Sequence, residues 1–270
     1  MSLSPDGGKS SDAASRSILE VRGLTRRFGG LVAVSDVSFA VPRNTVMSVV
    51  GPNGAGKTTL FNLISGALAP NEGDILFDGR SVTGWAPNRL TRLGIARTFQ
   101  NARLFPHLNA VENVMVGRSC RTRAQVWDSL FALPRHRAEQ RETRDRAEAL
   151  LDWVGVRTNR YRLPSELPYG DQRRVEIARA LATDPRMLIL DEPTQGMVAQ
   201  EAHDVIHLIG RLVERGLTLL LIEHNMNVVM SVSDRIVVLE FGCKIAEGTP
   251  AVVRADPKVI TAYLGAEEDA

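Results

Sequence analysis

Residues 51 to 59 read Gly51-Pro52-Asn53-Gly54-Ala55-Gly56-Lys57-Thr58-Thr59 and follow the apolar run Thr45-Val46-Met47-Ser48-Val49-Val50. A strand, a glycine-rich loop, Gly-Lys-Thr and then a helix make the P-loop pattern. Glycines at 51, 54 and 56 let consecutive backbone N–H groups curl around an anion without Cβ clashes. A helix opening at Lys57 adds the positive end of its dipole. Lys57 is long enough to reach β and γ phosphates, and the Thr58 hydroxyl suits Mg²⁺. The expected ligand set is Asn53, Gly54, Ala55, Gly56, Lys57, Thr58 and Thr59, and the expected ligand is a nucleoside triphosphate.

A second element of phosphate chemistry is Arg186-Met187-Leu188-Ile189-Leu190-Asp191-Glu192-Pro193. A buried strand ending in two carboxylates places Asp191 for the metal shell and leaves Glu192 to orient an attacking water. Leu221-Ile222-Glu223-His224-Asn225 ends another apolar run with a histidine. The carboxyl ends of core strands are where α/β sheets bind ligands, so His224 is a candidate γ-phosphate sensor. His203 and His207 lie on one helix face at i,i+4, but no third ligand is evident and a metal role is not assigned.

The elements that must hold these groups fall into three blocks. Strand-like runs at Ile18–Arg22, Thr25–Phe28 and Asp36–Val41, punctuated by Gly23, Gly29-Gly30 and Pro42, precede the P-loop. Asp74–Phe77 is expected as a strand before an Asp78-Gly79 turn, Pro87 opens a short helix, and Gly94–Phe99 reads as a strand. From Gln100 to about Ala182 the pattern is helical, with Asn109 and Glu112 as a capping pair for Ala110–Val116 and a charged helix from about His136 to Val154. Alternation then resumes with Met187–Leu190, Ala199–Arg215, Leu217–Ile222, Met226–Val232 and Arg235–Glu240. Such alternation implies an α/β fold, a P-loop NTPase core with a mostly parallel sheet, an N-terminal antiparallel β layer and an inserted helical subdomain.

At 270 residues, 44% apolar and 24% charged, the chain suits one large domain of ordinary globular composition. A net charge of +2 is too balanced to suggest a nucleic-acid partner. The two cysteines, Cys120 and Cys243, have no zinc or disulfide spacing and fit a reducing cytosol. The apolar stretch Leu217–Ile222 is far short of a membrane span, and Met1–Arg16 has no apolar signal region. Between Gly117 and Arg146 eight arginines stand against four acidic residues. Two readings of that excess stay open: a solvated helix face with pairs such as Glu142 and Arg146, or a surface held near anionic headgroups or an acidic partner loop.

Taken together, these motifs resemble the ATP-binding subunits of ABC transporters, over Ile18 to about Leu264. Gln100 after Arg97-Thr98-Phe99 is similar to the family's glutamine loop, which touches Mg²⁺. Phe28 is similar to its adenine-stacking aromatic. Leu167-Pro168-Tyr169-Gly170-Asp171 lies where the family has its signature. The resemblance implies that Asp191, with Thr58 and Gln100, serves the metal, and that Glu192, His224 and Gln100 serve catalysis. It also implies that Pro168, Tyr169, Gly170 and Asp171 contact ATP held by the P-loop of a second ATPase subunit, either a copy or a paralogue.

Leu31-Val32-Ala33-Val34, Phe61–Gly66, Gly94–Asn101 and the ending Glu247-Gly248-Thr249-Pro250 through Ala262-Tyr263-Leu264-Gly265 resemble the branched-chain amino acid importer ATPases. The implied cofactors are ATP and Mg²⁺. The implied partners are transmembrane permease subunits and, through the complex, a periplasmic or extracellular solute-binding protein. The implied location is peripheral, on the cytoplasmic face of the plasma (inner) membrane. Expected boundaries are a tail at 1–17 and one ATPase domain at 18–264, followed by a tail at 265–270. Within the domain the core is 18–99 and 183–248, the helical subdomain 100–182, and the C-terminal helices 249–264.

The pattern departs from the family at two places. Pro168, Tyr169 and Asp171 replace the common Ser, Gly and Gln of the signature, and Val198 stands where an acidic or amide residue is expected. Lipopolysaccharide-export ATPases share the tail pattern but differ around Thr98–Asn101. Soluble ABC ATPases usually carry two cassettes, zinc modules or long coiled insertions, which this chain lacks. A regulatory module without turnover is the third reading, opposed by Glu192 and His224.

Overall fold

The computed structural model describes residues 17–98, 103–119 and 134–264, without the side chains of 134–137 and 264. The chain divides into two compact units, Met1–Pro87 with Leu212–Ala270, and Asn88–Arg211.

In the first unit an antiparallel sheet runs in the order β2-β1-β4-β5, with β1 at Ser17–Phe28, β2 at Leu31–Pro42, β4 at Glu72–Phe77 and β5 at Arg80–Ser81. The sequence suggests two strands broken at Gly23. The structure has one continuous strand, because Gly23 forms a bulge and not a turn: φ is +57, the register shifts between Val21 and Leu24, and its amide donates to Ser38 Oγ at 2.7 Å. Asp78 and Gly79, at φ 55 and 75, close the β4–β5 hairpin as positive-φ turn residues should.

The parallel part of the unit centres on β3 (Val46–Val50), which lies between β8 (Thr218–Ile222) and β9 (Arg235–Glu240) and is parallel to both. Every residue of β3 and β8 is buried. That is why both read as unbroken apolar runs instead of alternating ones. The edge strand β10 (Cys243–Gly248) pairs antiparallel with β9 and buries none of its residues, so it carries no apolar signal.

Helix α1 (Lys57–Ile64) buries Leu60, Phe61, Leu63 and Ile64. The C-terminal helices α8 (Pro250–Ala255) and α9 (Pro257–Leu264) place Val253 and Val259 in a cluster with Val50, Val229, Ile236 and Val238, and Tyr263 packs against it. Val229 belongs to α7 (Met226–Val232). The cluster thus reaches Val50, the residue just before the P-loop.

The second unit holds α2 (Pro87–Leu93), the parallel pair β6 (Ile95–Arg97) and β7 (Met187–Asp191), and four further helices. These are α3 (Ala110–Arg118), α4 (Pro134–Val154), α5 (Tyr169–Leu181) and α6 (Ala199–Glu214), the last continuing past Arg211. Helices α3, α4 and α5 pack on one another. Helix α3 starts with a reciprocal cap, Asn109 Oδ1 accepting from Glu112 N at 3.0 Å and Glu112 Oε2 from Asn109 N at 2.9 Å. A Cβ at Gly117 would stand 2.2 Å from Arg179 O, so only glycine lets α3 come this close to α5. Glu142 and Arg146 do pair, at 2.9 Å, but both are over half exposed and contribute well under about 1 kcal/mol. Among the described residues no helix is long and apolar enough to cross a membrane.

Candidate functional site

The loop after β3 is built by backbone crowding. Gly51 has φ 149, and a Cβ there would lie 2.1 Å from Leu239 O; Gly56 has φ 94, and its Cβ would lie 2.3 Å from Ala33 O. Both walls are main chain and cannot swing aside. Gly242, in the β9–β10 turn, ties the loop to β2: its amide donates to Ala55 O at 3.2 Å and its carbonyl accepts from Ser35 N at 2.8 Å. The Lys57 ammonium lies across the loop, donating to Gly51 O at 2.6 Å and Pro52 O at 2.8 Å. Helix α1 begins after Gly56 in a left-handed N-cap, with no acidic residue in its first turn. Loop amides and a lysine at a helix start with no acidic side chain in its first turn form an anion cradle.

From the other end of the chain, Tyr263 approaches the same loop. Burial raises its phenol above the ordinary 10.0, and the Gly51 backbone amide hydrogen-bonding to it pulls the other way. Thr58 is exposed on the first turn of α1 and Thr59 is half-buried. Phe28, which ends β1, is 42% exposed, and the Arg26 guanidinium stands 4.6 Å from its ring centre.

His224 lies two residues beyond β8 and is exposed. Its backbone is fixed from below: the buried Glu223 carboxylate accepts from His224 N at 3.0 Å and Asn225 N at 3.3 Å, and Asn225 caps α7. The histidine is thus presented on a rigid strand end.

In the second unit Asp191 ends β7 at 5% exposure, and its carboxylate accepts from Arg97 at 2.8 Å. Glu192 follows at φ +46 and 6% exposure. A non-glycine residue in the left-handed region costs on the order of 1–2 kcal/mol, and such strain concentrates where side-chain aim matters.

Pro168 is the N-cap of α5 and provides no side-chain cap. Tyr169 stacks near Arg173, whose guanidinium is 5.4 Å from the ring centre and is buried with Glu176 at 3.2 Å. Asp171 accepts from Asn159 Nδ2 at 2.7 Å and pairs with Arg174 at 3.2 Å. Val198, which the sequence marks as a departure, is 66% exposed. Gln100 lies outside the described residues, as do Phe99, Asn101 and Cys120.

The expected residues are thus distributed by unit. Phe28, the 51–59 loop and His224 belong to the first, whereas Asp191, Glu192 and the 168–171 segment belong to the second. Hard oxygen donors, the Thr58 hydroxyl and the Asp191 carboxylate, are the ligand chemistry that Mg²⁺ takes. Sequence reasoning misses four participants: Arg97 on Asp191, Gly242 on the loop, Tyr263 at Gly51, and Glu201. The Glu201 carboxylate accepts from Gly170 N at 3.2 Å. Only Glu201 leaves a local signal, an acidic residue in the first turn of a helix.

The chain is similar to known ATP-binding cassettes in both sequence and fold. The ABC transporter family model matches residues 34–195, and that of the branched-chain amino acid ATP-binding cassette transporter matches residues 243–269. The chain is 46% identical to the high-affinity branched-chain amino acid transport ATP-binding protein BraF of Pseudomonas aeruginosa, over 93% of this chain and 99% of that protein. It is 42% identical to LivG of Escherichia coli, a protein of the same description, over the same shares. A nucleotide-free ATP-binding cassette from an ABC transporter superposes with a TM-score of 0.80 at 33% identity, covering 92% of this chain and 98% of that one. A dimeric cassette in a post-hydrolysis state, bound to ADP and Pi, superposes with a TM-score of 0.73 at 26% identity, over 86% and 98%. The chain therefore belongs to the ABC transporter family, as a nucleotide-binding ATPase of the branched-chain amino acid ATP-binding cassette type.

Proposed function

We propose that this ATPase energises an importer of branched-chain amino acids, working on the cytoplasmic face of the plasma membrane against permease subunits that receive their cargo from a solute-binding protein. The observation that carries this reading is the 46% identity to a branched-chain amino acid transport ATPase over 99% of that relative's length. Residues 100–182 are proposed as the subdomain that meets the permease. Hydrolysis takes place between two cassettes. The amides and Lys57 of the 51–59 loop hold the triphosphate, Phe28 stacks on adenine, and residues 168–171 of the second subunit close over the γ-phosphate.

Glu192 orients the attacking water and accepts its proton, and His224 contacts the γ-phosphate. Thr58, Asp191 and Gln100 would hold Mg²⁺, which when bound neutralises phosphate charge. Rigid backbone around residues 51–59 keeps the cradle in place before ATP arrives, so little ordering cost falls on binding. In this scheme Arg97 aims and balances the Asp191 carboxylate.

The test joins chemistry to transport. Uptake of labelled leucine by cells that depend on this chain should be lost in Glu192→Gln, and ATPase turnover of the purified transporter should drop by at least about 100-fold. ATP affinity should stay within a few-fold, because the phosphate cradle is untouched. Normal turnover in Glu192→Gln would remove this residue from catalysis, and leucine uptake indifferent to deletion of the chain would remove the substrate assignment.

A further inference from the structure

The start of α5 is capped by a residue 31 positions away in sequence. Pro168 holds the N-cap position with extended backbone, φ −51 and ψ 150, and has no side-chain oxygen to offer. The Gly170 amide points out of the first turn, where no intrahelical carbonyl can reach it. Glu201 fills that role: its Oε1 accepts from Gly170 N at 3.2 Å, while its Oε2 accepts from Val198 N at 3.4 Å, at the start of its own helix α6. One carboxylate therefore serves two helix N-termini. The fit is close, since a Cβ on Gly170 would come within 2.9 Å of Glu201 Oε1. Gly170 is buried and Glu201 half-buried.

Backbone N–H to oxygen bonds span about 2.7–3.2 Å. The Gly170 contact at 3.2 Å lies at the long end of that range and the Val198 contact at 3.4 Å just beyond it. The second station at Val198 gives the side chain a place to stay when it leaves the first. A backbone N–H serves one strong acceptor at a time, and a phosphate oxygen approaching Gly170 meets a carboxylate of its own sign already seated there. Asp171, the other acidic group beside this turn, is turned away onto Asn159 and Arg174. Among the described charged groups near the turn, Glu201 alone lies on the donor itself.

We infer that Glu201 is a positioning residue that holds the Gly170 amide in the separate subunit and yields it to the γ-phosphate of the second subunit's ATP, so that its carboxylate sets how much ATP is needed to close the pair. The inference rests on the proposed closure of residues 168–171 over ATP.

The experiment uses the full chain carrying Glu192→Gln, so that ATP persists, with and without Glu201→Gln or Glu201→Asp. Light scattering after size exclusion gives the ATP concentration at half-maximal dimer, and a fluorescent ATP analogue gives the affinity of the monomer. Glu201→Gln removes the charge and keeps an acceptor; Glu201→Asp keeps the charge but is one methylene too short to hold both amides. In both variants half-maximal dimer should come at about three- to tenfold less ATP, the scale of weakening one hydrogen bond to a charged group. Monomer affinity should not change, because residues 51–59 carry it. A purely structural role would give weaker dimers and a lower Tm, and unchanged or higher ATP demand in both variants overturns the inference. A Glu192→Gln parent that never dimerises at any ATP concentration overturns the sandwich reading instead, which is a separable result.

Discussion

In the proposed scheme two helix starts present backbone amides to phosphate, and they are built in opposite ways. The start of α1 is framed by main chain: Leu239 O and Ala33 O leave room for no side chain at Gly51 or Gly56, and its first turn has no acidic residue. The start of α5 is framed by side chains. Pro168 gives it no cap, Asp171 sits in its first turn, and Glu201 comes from another helix to occupy Gly170. The first arrangement keeps its main chain in place when a triphosphate arrives and moves only the Lys57 ammonium from Gly51 O and Pro52 O, so most of its affinity is built in. On the reading proposed above, the second presents a donor only after the Glu201 side chain moves, which would make its affinity adjustable. Binding and closure would then fall to structures of different stiffness.

The largest effect expected from breaking the stiff side comes from Lys57→Ala. It removes the ammonium that would meet the phosphates and also the two bonds to Gly51 O and Pro52 O that brace the loop. ATP affinity should fall by at least about 100-fold, the equivalent of two hydrogen bonds to charged groups at roughly 1.5–3 kcal/mol each. Titration calorimetry checks this, and affinity retained within about tenfold would mean that the loop amides alone define the cradle.

On the adjustable side, Pro168→Ser gives α5 its own cap and, in the proposed sandwich, a hydroxyl toward the second ATP. The cap gained and the proline rigidity lost are each worth about 0.5–1 kcal/mol and oppose one another, so Tm should move little. The ATP concentration for half-maximal turnover of the assembled transporter should fall by no more than about tenfold. No change would mean that the backbone donors of α5 already suffice.

Tyr263→Phe is the smallest perturbation, and it sharpens the account of how the stiff side is held. Packing against the Val50 cluster survives, while the oxygen facing Gly51 is lost. The folded-state phenol is raised by burial, so its contribution to stability is complete below the ordinary 10.0 and is lost as pH rises through the raised value. Thermal melts across alkaline pH should therefore be steeper in the parent than in Tyr263→Phe, with ATP affinity reduced by about two- to fivefold in the variant at neutral pH. Identical alkaline limbs would place the titration elsewhere.

The stiff half of the comparison was the legible half. A nine-residue motif encodes its own turn, because the glycines that the loop needs are adjacent in sequence, and the buried runs of β3, β7 and β8 announce parallel strands. Legibility failed wherever a distant partner decides the outcome. Gly23 reads as a break but becomes a bulge because β2 supplies Ser38 to its amide. Strand β10 buries nothing and so has no pattern to find. The capping of α5 was hidden because its carboxylate is 31 residues downstream, and the missing serine at 168 pointed only to a loss.

The loop at residues 51–59 also has a history within each molecule. Its walls and braces, Leu239, Gly242 and Tyr263, are synthesised nearly 200 residues after it. At about 5–20 residues per second, an emerging chain carries the glycine loop for some ten seconds or more before those partners exist. During that interval the flanking apolar strand β3 has neither β8 nor β9 to pair with. The nucleotide cradle is therefore among the last parts of the protein to acquire its shape on the ribosome, and a chain that stalls near its end carries the full motif without the pocket.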